Sequence, residues 1–309
     1  MSDVVRIPEQ ALAGVPQFSF KPSYRKHDGL WLAHVDVGKG APVIFVHGEP
    51  TWSFLWRKVI PPMAAAGFRC IAPDLPGFGR SDKPADVSWY SYDRHTASVA
   101  ALIADLKLRD ATVVGHEWGA AIALRLAAEQ AERIDRVVVL SGGLFTGHQK
   151  MTDAWMAFRQ LAQRSEDFPV AFLLRAGCKL EPGRDVIAAY EAPFPRASAK
   201  AGARAFPLNM PSGPDSPGAR VAQRALETLR SEARPKLIIW GEEDRLLPLQ
   251  MGRRFAHALG TDVDHVIAGA SHFVPEDAGP KVGALIAEWL RSAAGGAGQR
   301  RRSLLRWAR

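Results

Sequence analysis

The stretch Ala111-Thr112-Val113-Val114-Gly115-His116-Glu117-Trp118-Gly119-Ala120 decides the fold. An apolar run, Ala111 to Val114, ends in a small residue, Gly115. Glu117 stands two positions later, followed by Trp118 and the small pair Gly119 and Ala120. Ile122, Leu124, Leu126 and Ala127 then continue as a helix. The pattern predicts a buried strand, a sharp turn and a helix, with side chain 117 raised at the tip. Small residues flank such a tip because the turn is strained and a Cβ would collide with nearby backbone. The tip normally carries Ser, Cys or Asp; here it carries Glu.

Upstream, Pro42-Val43-Ile44-Phe45-Val46 is a second buried-strand run, ending in His47-Gly48-Glu49-Pro50. A third, Phe68 to Ala72, ends in Pro73-Asp74-Leu75-Pro76-Gly77-Phe78-Gly79-Arg80-Ser81. Its Gly-x-Gly lacks the third glycine and the helical start of a dinucleotide fingerprint. Before these, alternating segments around Phe18–Phe20 and Leu30–Val37 flank a turn at His27-Asp28-Gly29. Downstream, Val137–Leu140 leads to Ser141-Gly142-Gly143, and Lys236–Trp240 leads to Gly241-Glu242-Glu243-Asp244. Val263–Ile267 leads to Gly269-Ala270-Ser271-His272, and a last helix carries Val282, Leu285, Ile286, Trp289 and Leu290.

Between Thr146 and Gly218 the strand–helix rhythm gives way to a proline-rich, helical and loop-like segment. Repeated βα units predict an α/β chain with a mainly parallel sheet flanked by helices. The core is expected over 1–146 and 217–292, with 147–216 inserted as a helical cap. In such sheets chemistry gathers beyond the carboxyl ends of the strands, where loops 47–52, 115–119, 241–245 and 269–273 all fall.

Composition narrows the class. The net charge of +8 suggests nucleic acid until it is located. Arg291, Arg300, Arg301, Arg302, Arg306 and Arg309 lie in the last 19 residues; without them 34 basic residues face 32 acidic ones. The basicity belongs to a tail, 293–309, expected to be a solvated, disordered extension. No transmembrane run or secretory leader is visible. With two cysteines, Cys70 and Cys178, and no disulfide framework, a reducing cytoplasm is the default. Neither nucleic-acid nor membrane partners are expected. No metal cluster or phosphate loop appears, so no cofactor is implied.

The order Glu117, Asp244, His272 is nucleophile, acid, base, as in the α/β-hydrolase fold. His272 is placed to activate a water, and Asp244 to hold the other imidazole nitrogen in one tautomer. The main-chain N–H groups of Glu49 and Trp118 are expected to form an oxyanion hole. The Trp118 indole, a donor only, is a candidate for holding a leaving anion.

His47-Gly48-Glu49-Pro50-Thr51-Trp52-Ser53 and Pro73 through Pro84 resemble haloalkane dehalogenases. The resemblance is to the subgroup whose acid follows the strand after the cap. Ala189-Tyr190-Glu191-Ala192-Pro193-Phe194-Pro195, Lys200 to Pro207 and His272-Phe273-Val274-Pro275-Glu276-Asp277 are similar to the same subgroup. The likeness spans residues 15–292. It implies carbon–halogen cleavage through an alkyl ester on residue 117, hydrolysed by His-activated water, with halide held by two indoles. Glu117 then takes the nucleophile's place, Trp118 that of the first halide donor, Asp244 the acid's and His272 the base's. A small apolar substrate follows, halogenated on this reading, acted on by a monomer or dimer.

Two residues depart from the family. Its nucleophile is Asp, and one extra methylene moves the carboxylate by about 1.5 Å. Its cap Trp is expected near Asp167 to Phe172, where Phe168 and Phe172 line a pocket without an N–H, unless Trp155 substitutes. Two other readings therefore stand beside dehalogenation: acid–base chemistry by Glu117 and His272 without halide, and a degenerate binding protein. A serine esterase is disfavoured for lack of Ser or Cys at the tip. Epoxide hydrolysis is disfavoured because it commonly uses two cap tyrosines, and Tyr190 is the only one between 147 and 216.

Overall fold

The computed structural model describes residues 3–292. Ten strands are described: β1 (Val4–Val5), β2 (Pro22–His27), β3 (Leu30–Val37), β4 (Pro42–Val46), β5 (Arg69–Pro73), β6 (Lys83–Pro84), β7 (Ala111–His116), β8 (Ile134–Leu140), β9 (Lys236–Gly241) and β10 (His265–Ile267). Eight form one sheet, in the order β10-β9-β8-β7-β4-β5-β3-β2, while β1 and β6 pair separately. From β10 to β5 every pairing is parallel; β3 joins antiparallel to β5, and β2 antiparallel to β3. Strands β4 and β7 are buried along nearly their whole length, which is why they read as unbroken apolar runs.

The helices are α1 (Ile60–Ala65), α2 (Tyr92–Asp105), α3 (Trp118–Glu129), α4 (Asp153–Arg164), α5 (Val170–Gly177), α6 (Arg184–Glu191), α7 (Ala201–Asn209), α8 (Ala219–Ser231), α9 (Leu249–Ala258) and α10 (Val274–Trp307). Helices α1 and α10 pack together, and α3 packs with α2 and α8, so the sheet is flanked by helices as the βα rhythm predicts. Helices α4 to α7 lie between β8 and α8 and add no strand to the sheet.

One detail differs from the sequence reading. Phe18 to Phe20 is not a strand; β2 starts at Pro22 and pairs along its length with β3. The aromatic rings there pack on one another instead, with Phe18 against Trp52 at 5.1 Å and against Phe54 at 5.6 Å. The tail expected over 293–309 lies outside the described residues. Near its start, α10 breaks at Ala278 (φ −137°, ψ 29°), two residues before Pro280, whose ring and missing N–H interrupt the ladder.

Candidate active site

The site lies where the chain reverses direction across the sheet. From β4 it crosses to β5 on one side and later to β7 on the other, so the ends of β4 and β7 are neighbours, with Val46 opposite Gly115. Close approach there requires glycine. A Cβ on Gly119 would lie 2.0 Å from the Val46 carbonyl oxygen, and one on Gly115 would lie 2.2 Å from the Gly119 oxygen. Glu117 sits at the turn with φ 54° and ψ −117°, a strained conformation for a residue with a side chain. The strain is held by neighbours: its N–H donates to the Leu140 carbonyl at 3.2 Å, and its own carbonyl accepts the Ala120 N–H at 3.0 Å.

The Glu117 carboxyl is buried. Its Oε2 accepts the Glu49 N–H at 3.0 Å, and the Trp118 main-chain N–H also bonds to this side chain. Of the two N–H groups expected to form an oxyanion hole, that of Glu49 meets the Glu117 Oε2. His47 keeps the Glu49 loop in place. Its Nδ1–H donates to the Gly48 carbonyl at 3.0 Å and its Nε2 accepts the Leu75 N–H at 3.0 Å, a tautomer that requires a neutral ring. Burial pushes the His47 pKa down to about 4, which keeps it neutral.

His272 and Asp244 meet, with Nδ1 of the imidazole 2.9 Å from Asp244 Oδ2. Asp244 Oδ1 accepts the N–H groups of Leu246 (3.0 Å) and Leu247 (2.8 Å), so its orientation is fixed from both ends. Burial alone would lower the His272 pKa. The charge and hydrogen bond of Asp244, together with the charge of Glu117, outweigh it and hold the pKa above the usual value. His272 Nε2 has no hydrogen-bond partner among the described residues, and no hydrogen bond joins it to Glu117. Burial pushes Glu117 up to about 7, opposed by His272 and by the two main-chain N–H groups.

Glu117 and His272 share the wall of a cavity of about 530 Å³, with Glu49 and Pro50 beside them. The opposite wall is apolar: Ala154, Ala157, Phe158 and Leu161 from one face of α4, and Phe172 and Leu173 from α5. Phe172, 61% exposed, belongs to this wall. A second cavity of about 420 Å³, between Gly142, Trp240 and Phe255, contains none of these carboxyl groups.

Four loops and one inserted segment therefore converge on the Glu117 carboxyl, the Glu49 N–H and the Asp244–His272 pair. A family model described as alpha/beta hydrolase fold matches residues 41–279. A haloalkane dehalogenase of Mycobacterium marinum is 38% identical over 295 residues, which cover 93% of this chain and 99% of that protein. This chain belongs to the haloalkane dehalogenase family. A second member, from Psychrobacter cryohalolentis, is 35% identical with 93% of this chain and 98% of its own length covered. Among solved structures, the tetrameric haloalkane dehalogenase DpaA of Paraglaciecola agarilytica superposes with a TM-score of 0.86. It is 29% identical, and the match covers 91% of this chain and 96% of that one. The protein is accordingly a dehalogenase-like hydrolase of the α/β-hydrolase fold.

Within this dehalogenase-like site, three aromatic expectations need correction. Trp155 and Phe168 do not line the cavity. Trp155 is one helical step round from Ala154 and Ala157 and lies beside Arg159, whose guanidinium bonds to the Pro207 and Met210 carbonyls of α7 and its end. Phe168 is fully buried behind Phe158, ring centres 6.1 Å apart. The Trp118 indole is not among the cavity's lining residues either; it stacks on Phe206 at 5.2 Å, and only its main-chain N–H meets Glu117.

Residues the sequence reading did not single out support the base. His116 Nε2–H donates to the His272 carbonyl at 2.8 Å, its ring kept neutral by burial. Asp277 accepts the N–H groups of Ser271 (2.8 Å) and of Lys179 (3.0 Å), the latter just after α5. Phe273 N–H donates to the Gly177 carbonyl at 3.2 Å. Glu276 takes Arg57 in a two-point bond at 2.6 and 2.7 Å and the Tyr190 hydroxyl of α6 at 2.8 Å. The residues flanking His272 are thus tied to the inserted helices. Among the described residues no cluster of His, Cys, Asp and Glu is arranged to hold a metal, and no helix is long and apolar enough to cross a membrane.

Proposed function

We propose that this protein cleaves carbon–halogen bonds of small apolar haloalkanes with Glu117 as covalent nucleophile. The observation that carries the proposal is the disposition of the Glu117 carboxyl: one oxygen engaged by the Glu49 N–H, in a cavity shared with an unpartnered His272 Nε2. The other oxygen attacks the sp³ carbon and halide departs, leaving an alkyl ester on Glu117. His272 Nε2 then takes a proton from water, with Asp244 stabilising the imidazolium. Hydroxide adds to the ester carbonyl carbon, the Glu49 and Trp118 N–H groups hold the oxyanion, and collapse releases the alcohol. Helices α4 to α7 serve as a cap whose apolar face selects the substrate. The lack of a Glu117–His272 hydrogen bond favours this reading over an acid–base pair. The buried, unpaired Cys70 and Cys178 support a cytoplasmic setting, with the chain working as a monomer or dimer without a cofactor.

Incubation of His272→Gln with bromoalkanes tests the proposal. The expected result is a stoichiometric alkyl adduct on Glu117, read by intact mass and peptide mapping. An unmodified protein after a panel of chloro-, bromo- and iodoalkanes would overturn it.

A further inference from the structure

Glu49 has a side chain that the reaction above leaves idle. The residue is 3% exposed and belongs to the cavity wall with Glu117 and His272, yet neither carboxyl oxygen has a hydrogen-bond partner among the described residues. Its N–H reaches Glu117 Oε2 at 3.0 Å, so the two side chains start from neighbouring points. A lone buried carboxyl beside a second one is stable in its protonated form, since burial strips hydration from the anion and the neighbour's charge repels it. Both effects push Glu49 well above the carboxylate range. Glu117 is the member that ionises, because it has two N–H donors and an imidazole nearby and Glu49 has neither. The pair is split into an anionic nucleophile and a neutral acid.

We propose that this cavity also opens epoxides, with Glu49 protonating the ring oxygen as Glu117 attacks a ring carbon. A Glu117 O–C bond forms, the ring C–O bond breaks with its electron pair going to oxygen, and that oxygen takes the Glu49 proton. The products are a β-hydroxyalkyl ester of Glu117 and a Glu49 carboxylate. His272 then takes one proton from water, hydroxide adds to the ester carbonyl, and collapse gives a 1,2-diol and the Glu117 carboxylate. The hydroxide's own hydrogen ends on the diol, and the proton on His272 returns through water to Glu49. Halide departs without a proton, whereas an alkoxide requires one, and a carboxylic acid supplies it where an indole cannot. Tyrosine is not needed: Tyr190 donates to Glu276 at 2.8 Å and does not line the cavity.

The inference rests on displacement by Glu117, so the test uses two probes in parallel. His272→Gln is incubated with bromohexane or with epoxyhexane, and the label on Glu117 is timed by intact mass. Both labels are expected, and unaltered protein is expected to release hexanediol from epoxyhexane. In Glu49→Gln/His272→Gln, which retains an N–H donor but carries no acidic proton, hydroxyhexyl labelling is read relative to hexyl labelling of the same protein. Hydroxyhexyl labelling should fall about a hundredfold or more, the usual contribution of a general acid. Retained hexyl labelling also reports that the double variant is folded. Hexyl without hydroxyhexyl labelling in His272→Gln overturns the epoxide inference and leaves halide displacement standing. Neither label overturns both. Hydroxyhexyl labelling equally fast with Gln at position 49 overturns the role of Glu49.

Discussion

Replacing Asp244 by Asn should stop turnover after one halide per protein. Asp244 Oδ1 accepts two main-chain N–H groups, at 3.0 and 2.8 Å, while Oδ2 faces His272 Nδ1 at 2.9 Å. Those N–H groups demand an oxygen, so the asparagine amide must turn its NH₂ toward the imidazole. Nδ1 then has to accept, and the single proton of a neutral ring moves to Nε2, where the base is needed. Turning the amide round would sacrifice both main-chain hydrogen bonds, about 2–3 kcal/mol, so the useful tautomer falls to roughly one part in 100. Loss of the carboxylate charge that stabilises imidazolium adds to this. The expected fall in kcat is 10³- to 10⁴-fold, in line with about 10⁴ for the same change in a serine protease triad. Attack by Glu117 needs neither group as a base. Rapid-mix halide detection should therefore show a burst near one equivalent followed by near-silence, with alkyl-enzyme visible by mass. Turnover above a tenth of the unaltered rate, or loss of the burst with the turnover, would refute the reasoning.

Further tests follow from the same geometry. The first-turnover halide burst should rise with pH through about 7 and then level, because Glu117 attacks as the anion and burial raises its pKa to about 7. The same burial makes the ionised Glu117 a stability cost that is absent below the unfolded pKa and complete above 7. A rise from 4.5 to about 7 is worth about 3 kcal/mol, so Glu117→Gln should gain that much over the unaltered chain at pH 8 and nothing at pH 4 in urea unfolding. Arg57→Met removes the two-point bond to Glu276 but leaves it Lys58 at 2.7 Å and the Tyr190 hydroxyl, and should cost about 2–3 kcal/mol by the same measurement. Phe158→Trp puts an indole N–H on the cavity's apolar wall, where the sequence offers none; a roughly tenfold faster chloride burst is expected, consistent with a new hydrogen bond to a charged group.

The fold was legible because its signals are local. A run such as Pro42–Val46 or Ala111–Val114 must be a strand buried on both faces, and glycines 115 and 119 mark where two strand ends touch. Glu117, Asp244 and His272 could be picked out because each follows a strand of the sheet. The cavity's far wall was not legible in the same way. On α4, Ala154 and Trp155 are adjacent, yet a turn of 100° decides which of them faces the cavity, and long-range packing such as that of Arg159 on α7 sets that angle. The Glu49 carboxyl was hidden behind its own backbone role, since nothing in a motif says which polar atoms will lack partners. His116 and Glu276 escaped for the opposite reason: their partners lie 156 and 219 residues away in the chain.

The bonds from Asp277 to Lys179, from Phe273 to Gly177 and from Glu276 to Tyr190 make the roof of the cavity and the seat of the base a single fitting. A roof that swung wide to admit a bulky guest would drag residues 271–277 with it and unseat His272 from Asp244. The door and the trigger share a hinge pin. Guests must be small enough for the standing aperture, and breadth of diet is a matter of what the walls are made of. Shaving Phe172 or Leu161 should enlarge the menu with the base still cocked, whereas loosening 177–180 would widen the opening only by disarming what lies behind it.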